Sequence, residues 1–290
     1  MQFHLDGFRP GDPGIAEPLE GAATAPARLD GAGIDVLIVG SGPAGLTLAA
    51  QLSAFPDITT RIVEQKPGPL RLGQADGVAC RTMEMFSAFG FVERAMREAY
   101  WVNEVAFWKP REGASHEIAR SGRVQDVEDG LSEFPHVILN QARIHDFYLE
   151  VMRHSPHRLV PDYGRRLAGL TVDDGASDHP VIARLEREDD GGAAETVRAR
   201  YVVGCDGARS TVRRLIGRRL EGDAANQAWG VMDVLAVTDF PDIRLKALIQ
   251  SAGEGNIVLI PREGGYLVRI YVELDKLRAD ERVAGRNITV

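Results

Sequence analysis

Apolar and polar residues alternate along this chain in two different regimes. From Ile34 the segment IDVLIVG is an unbroken apolar run closing on glycine, as expected of a strand buried on both faces of a parallel sheet. PAGLTLAAQLSAF follows, with Pro43 at a helix start and apolar residues at helical spacing, and TTRIVEQ then reads as a second strand. Together they predict a β-α-β unit within about thirty residues. Further on, RTMEMFSAFGFVERAM and QARIHDFYLEVMRHS look helical, whereas EVAFWKP, HRLVPDY, RLAGLTVDD, HPVIARLERE and ETVRARYVVGCDG look like strands. From Gln227 the pattern changes again. QAWGVMDVLAVTDF, IRLKALIQS, NIVLIPRE and GYLVRIYVEL follow one another with turn signals and no helix between them, which predicts an antiparallel sheet. Residues 1–33 are rich in Pro, Gly and Ala without periodicity and read as an N-terminal arm, packed or disordered.

With 290 residues, 44% hydrophobic and 26% charged, the chain is long enough to bury a substantial core. A net charge of −8 without long Lys/Arg runs argues against nucleic acid or an anionic membrane as partner, since both need a positive footprint. A small molecule fits better. The sequence has no apolar run of spanning length and no basic, then apolar, signal segment at its start, so the cytoplasm is the expected location. Only Cys80 and Cys205 are present, too few for a metal cluster, and they read as free thiols in a reducing compartment.

The first chemical motif is Gly40-Ser41-Gly42-Pro43-Ala44-Gly45. The first glycine allows a tight turn, the second lets backbone approach a pyrophosphate, and the third lets helix and strand pack closely. Such a motif alone is weak evidence. Here it follows a buried strand and opens a helix, and Glu64 ends the next strand about twenty residues on, where an acid accepts hydrogen bonds from an adenosine ribose. Whether the dinucleotide is NAD or FAD stays open at this point. A second signal is YVVGCDGARSTVRRLIG, in which a strand delivers Asp206 and Gly207 to a turn and Ser210 caps the helix that follows.

These segments together resemble the single-component (class A) FAD-dependent aromatic hydroxylases, in the phenol 2-monooxygenase-like branch. DVLIVGSGPAGL, VEQKPGP, GQADGVACRTMEMF, LNQARIHD, CDGARSTVRR and ANQAWGVMDVLAVTDFPDIR carry the resemblance, which covers nearly all of 34–274. FPHVILNQ, RLKALIQS and PREGGYLVRIYVEL make the 3-hydroxybenzoate 4-monooxygenases the most similar members. The resemblance implies a Rossmann-like FAD-binding domain of the p-hydroxybenzoate hydroxylase type, interleaved with a substrate domain on an antiparallel β-sheet. The expected division is 34–102 and 137–224 for FAD, and 103–136 and 225–290 for substrate, both incomplete.

By the same resemblance, Gly40, Gly42, Pro43, Ala44 and Gly45 would hold the pyrophosphate, Glu64 the ribose, and Gln65 and Lys66 the neighbouring edge. Gly73, Gln74, Ala75, Asp76, Gly77 and Val78 would line the flavin; many relatives carry an Arg where Gln74 stands. Gln141 matches a flavin contact, and Asp206 a residue shared by flavin and NADPH. Asp76 and Tyr271 would be catalytic, accepting the phenolic proton, with Tyr271 also binding the cofactor, while His136, Lys246 and Arg262 would face the substrate. Read without the resemblance, Asp76 is a turn former, His136 a structural histidine, and Lys246 and Arg262 solvated or surface-paired side chains.

The implied reaction is NADPH-driven hydroxylation of a phenolic ring by dioxygen through a C4a-hydroperoxyflavin, in a protein forming a homodimer at full length. The absence of a second GxGxxG is consistent with transient NADPH binding. GDAAN at 222–226 shares four letters with a second flavin motif, but it follows RRLIGRRLE and precedes an extended strand, so it reads as a loop. The genuine motif is expected beyond Val290, making the chain an N-terminal fragment. Two other classes remain: a nicotinamide-dependent dehydrogenase, and a non-catalytic dinucleotide-binding module.

Overall fold

The computed structural model describes residues 3–4, 7–8, 12, 14–20, 33–73, 76–173, 175, 178–187, 194–223, 227–253 and 255–276. The chain divides by packing into two compact units, 1–73 with 141–220, and 74–140 with 221–290.

In the first unit the strand Ile34–Val39 passes through the helix Pro43–Leu52 to the strand Thr60–Glu64, which lies parallel beside it. Leu37, Ile38, Ile62 and Val63 are completely buried, which is why these strands read as continuous apolar runs rather than alternating ones. On the other side of Ile34–Val39 the long strand Ala194–Gly204 runs parallel, with Val203 opposite Ile38 and Gly204 opposite Val39. Two antiparallel strands, Val181–Arg187 and Arg165–Val172, extend the sheet outward, and Asp162–Tyr163 closes the opposite edge.

The segment HRLVPDY yields only that two-residue strand. Arg158 adopts φ +51 and its guanidinium donates to the carbonyls of Ser155 and Ala16, and residues 158–161 belong to no helix or strand. Ala16 and Leu19 of the arm donate backbone hydrogen bonds to the carbonyls of His154 and Pro156. The helix Gln141–His154 packs on Pro43–Leu52 and buries Ile144, Phe147, Tyr148 and Met152 at helical spacing.

The second unit holds a six-stranded sheet, in the order Gln227–Leu235, Leu267–Lys276, Asn256–Pro261, Lys246–Gln250, Glu104–Arg111 and Ala114–Gln125. It is antiparallel apart from one parallel junction, where Lys246 lies opposite Val105. Ala106, Ala247, Leu259 and Val268 form its core, with Trp108, Phe240 and Ile270 against them. The strand Ala114–Gln125 has almost no buried position, and its mixed polar sequence carries no strand signal.

A separate three-stranded antiparallel sheet pairs Gly77–Val78 and Tyr100–Val102 with His136–Ile138. The helical stretch after it forms two helices, Cys80–Ala88 and Val92–Glu98, separated at Gly90, whose φ of +80 favours glycine. Of the GDAAN segment, Gly222 and Asp223 belong to no helix or strand, residues 224–226 lie outside the described residues, and a strand follows at Gln227.

Candidate active site

The first unit builds a turn shaped for a pyrophosphate. Gly40 has φ +101, and a Cβ there would lie 2.5 Å from the Cys205 carbonyl oxygen. A Cβ on Gly45 would lie 1.9 Å from the Gly40 carbonyl oxygen, so helix and strand meet at a distance that only glycine permits. Gly42 differs. The nearest atom to a Cβ there is 4.0 Å away, and Gly42 stands at the N-cap of Pro43–Leu52 without a side-chain cap. Backbone is therefore approachable where the helix presents its uncapped amides and positive dipole end, which suits a diphosphate.

Glu64 lies across this turn. Its Oε2 accepts from the Ser41 amide at 2.9 Å and the Ser41 hydroxyl at 3.1 Å, while Oε1 accepts from the Lys66 amide at 2.9 Å. Gln65 and Lys66 are exposed beside it. Asp206 leaves the carboxyl end of its strand and holds the start of the helix Thr211–Leu215, accepting from the amides of Thr211 at 2.6 Å and Val212 at 3.1 Å and from the Ser210 hydroxyl at 2.5 Å. Ser210 adds the expected cap, accepting from the Arg213 amide at 2.9 Å. Gln141 is half-buried at the first position of its helix. Gly73 is half-buried after the described turn, whereas Gln74 and Ala75 lie outside the described residues.

The second unit encloses a cavity of about 220 Å³ lined by Asp76, Gly77, His136, Ile138, Lys246, Ile260, Arg262, Arg269 and Tyr271. That is below the size of drug-binding pockets and suits a single small ring. Every residue expected to touch substrate is in this lining: Asp76, His136, Lys246, Arg262 and Tyr271. Val78 is also near in sequence, but its side chain is buried.

Part of the cavity lining is an arginine–carboxylate cluster. Asp76 Oδ2 meets Nη1 of both Arg262 and Arg269 at 2.5 Å. Arg262 is 4% exposed and also engages Glu263 at 2.8 Å and Asp233 at 3.4 Å. Burial works against its charge, but Glu263 and Asp76 outweigh that and raise its pKa. Arg269 pairs with Asp233 across adjacent strands at 2.8 Å; its pKa is raised, chiefly by the Asp233 hydrogen bond. The Arg269 hydrogen bond in turn holds Asp233 below the usual carboxylate range.

The lining also carries His136 and Lys246, each the first residue of its strand. Both meet Asp126, His136 Nδ1 at 2.8 Å from Oδ2 and Lys246 Nζ at 3.4 Å from Oδ1. Sequence alone pointed to neither Arg269 nor Asp126. Arg269 alternates with Tyr271 on one strand face, a period-2 signal that was available. Asp126 is 120 residues from Lys246 and only the folded register brings them together.

The family model described as "FAD binding domain" matches residues 33–287. The chain belongs to this FAD-binding family. FAD is thereby the cofactor. A 3-hydroxybenzoate 4-monooxygenase from Comamonas testosteroni is 68% identical over the whole of this chain, which spans 45% of that relative's length. A phenol 2-monooxygenase (fsqG) from Aspergillus fumigatus is 32% identical over 88% of the chain, which spans 41% of it. Among solved structures, the flavin-dependent monooxygenase PieE, in complex with FAD and substrate, superposes with a TM-score of 0.70 at 22% identity, over 89% of this chain and 45% of its own. The p-nitrophenol 4-monooxygenase PnpA from Pseudomonas putida gives 0.70 at 21% identity, over 87% and 60%. Such distant likenesses establish the fold, the p-hydroxybenzoate hydroxylase type. The chain thus spans less than half the length of the curated relatives named here.

Proposed function

We propose that this chain is part of an FAD- and NADPH-dependent monooxygenase that hydroxylates a phenolic ring bearing a carboxylate, of the 3-hydroxybenzoate type. The observation that carries the proposal is the cavity of the second unit, whose lining combines Asp76 and Tyr271, able to meet a phenol oxygen, with Lys246 and His136, able to meet a carboxylate. The 68% identity to a 3-hydroxybenzoate 4-monooxygenase supports the same substrate class.

When bound, FAD supplies the redox chemistry, taking hydride from NADPH and passing an oxygen atom from dioxygen to the ring. The chain's own residues prepare the ring. A ring carbon is a poor nucleophile until the hydroxyl is losing its proton, so an acceptor must meet the phenol oxygen. Asp76 and Tyr271 take that role. Arg262 and Arg269 fix the Asp76 carboxylate in place. Lys246 and His136 bind the carboxylate and set which ring carbon is presented. The apolar side chains of Ile138 and Ile260 flank the ring and help exclude water.

Gly40, Gly42, Pro43, Ala44 and Gly45 hold the diphosphate of FAD, Glu64 its ribose with Gln65 and Lys66 alongside, and residues 73–78 with Gln141 and Asp206 the flavin end. In functional terms 34–102 and 137–224 serve FAD, and 103–136 and 225–290 the substrate. A homodimer in the cytoplasm completes the proposal.

The test is a titration of the FAD-loaded protein with 3-hydroxybenzoate, benzoate and phenol, followed by the flavin's visible absorption. This lining predicts that 3-hydroxybenzoate binds more tightly than either analogue, each of which carries only one of its two polar groups. Equal affinities for 3-hydroxybenzoate and phenol would remove the carboxylate contact from the proposal.

A further inference from the structure

The lining residues His136 and Lys246 already share an anion, Asp126. Asp126 follows the strand Ala114–Gln125, with its side chain 12% exposed and its amide donating to the Asn103 carbonyl. Its two oxygens divide between His136 and Lys246, at 2.8 Å and 3.4 Å. Formally, Asp126 and Lys246 cancel. A ring carboxylate arriving at Lys246 and His136 therefore brings a negative charge that, among the described residues lining the cavity, no surplus positive charge meets. Arg262 and Arg269 do not supply it, because they are already committed to Asp76, Asp233 and Glu263.

The group able to supply the missing charge is the imidazole. Asp126 engages Nδ1, which leaves Nε2 on the side of Gly77, where a Cβ would stand 3.3 Å from it. Gly77 lines the cavity, so the absence of a side chain there keeps Nε2 accessible to a ligand. An imidazole whose Nδ1 is held by a carboxylate is fixed in orientation and stabilised when it becomes imidazolium.

We propose that Asp126 is a specificity-determining positioning residue that makes capture of a ring carboxylate proton-coupled. As the carboxylate docks on Lys246, His136 Nε2 takes a proton from solvent and donates it in a hydrogen bond to the incoming oxygen. Asp126 balances the imidazolium through Nδ1. Two anions and two cations then alternate around the site. A phenol without a carboxylate takes up no proton and gains nothing from Asp126. This inference rests on the proposed substrate class.

Calorimetric titration of the FAD-loaded protein, in buffers of different ionisation enthalpy, counts the protons directly. With 3-hydroxybenzoate, uptake should rise toward about one proton per ligand as pH increases, and affinity should fall with it by up to about 10-fold per pH unit. With phenol neither should occur. Asp76, Arg262, Arg269 and Tyr271 face both ligands, so comparing the two ligands cancels their common contribution. Asp126→Asn should retain binding through Lys246 while losing most of the uptake and flattening the pH dependence, with phenol affinity unchanged as the check on folding. If that variant does not fold, His136→Gln removes the titrating group itself and should likewise abolish uptake. Equal uptake for both ligands, or uptake undiminished in these variants, overturns the inference and leaves the substrate proposal standing. Failure of 3-hydroxybenzoate to bind an FAD-loaded protein overturns both.

Discussion

Replacing Arg262 by Met removes one of the two guanidiniums that clamp Asp76. Arg262 and Asp76 side chains are only 5% and 4% exposed and meet at 2.5 Å, so little water is available to solvate a carboxylate left behind. Breaking a buried ion pair from one side costs about 3–5 kcal/mol. Here Arg269 still holds Asp76 at 2.5 Å, and the other carboxylates on Arg262, Glu263 and Asp233, are 25% and 40% exposed and can turn to solvent. The lower end of the range, about 3 kcal/mol, is therefore expected. Urea denaturation followed by tryptophan fluorescence measures the loss, with an unchanged denaturant slope as evidence that the transition remains comparable. Arg111→Met is the control, because its pair with Glu117 is 59% and 48% exposed and such surface pairs contribute about 0–1 kcal/mol. A loss for Arg262→Met no larger than that control would refute the claim that the cluster fixes Asp76.

Lys246→Met should weaken 3-hydroxybenzoate binding by roughly 1.5–3 kcal/mol, the worth of a charge-assisted contact, and barely change phenol binding; equal losses would make Lys246 structural. Asp76→Asn keeps the shape but cannot take a proton, so hydroxylation should slow by roughly 100- to 10,000-fold while flavin reduction is spared and hydrogen peroxide replaces product. Unchanged rate and coupling in that variant would leave Tyr271 or water as the acceptor. Gly45→Ala would force a Cβ to within 1.9 Å of the Gly40 carbonyl oxygen, so the variant should lose bound FAD, visible as loss of yellow colour in the purified protein.

The parts of the fold legible in sequence are those with a local cause. The buried strand Ile34–Val39 announces itself because both its faces are covered, and the glycines at 40, 42 and 45 because turn, phosphate approach and helix packing each demand a missing side chain. The break at Gly90 was less visible, since one glycine in a helical pattern is often tolerated. The strand Ala114–Gln125 was invisible because it lies at a sheet edge and buries almost nothing. At the candidate site, the individual side chains Asp76, His136, Lys246, Arg262 and Tyr271 were nameable only through family resemblance. Their partners Asp126, Asp233 and Arg269 were not, because ion pairs spanning 193 residues, as between Asp76 and Arg269, are set by strand register rather than by any local pattern.

The measurement closest to the central claim is product analysis with 3-hydroxybenzoate, NADPH and isotopically labelled dioxygen, in the full-length protein loaded with FAD. The account predicts a dihydroxybenzoate carrying one labelled oxygen, formed nearly in step with NADPH consumed. NADPH oxidation that yields only hydrogen peroxide, with 3-hydroxybenzoate recovered unchanged from a protein that binds it, would contradict the account.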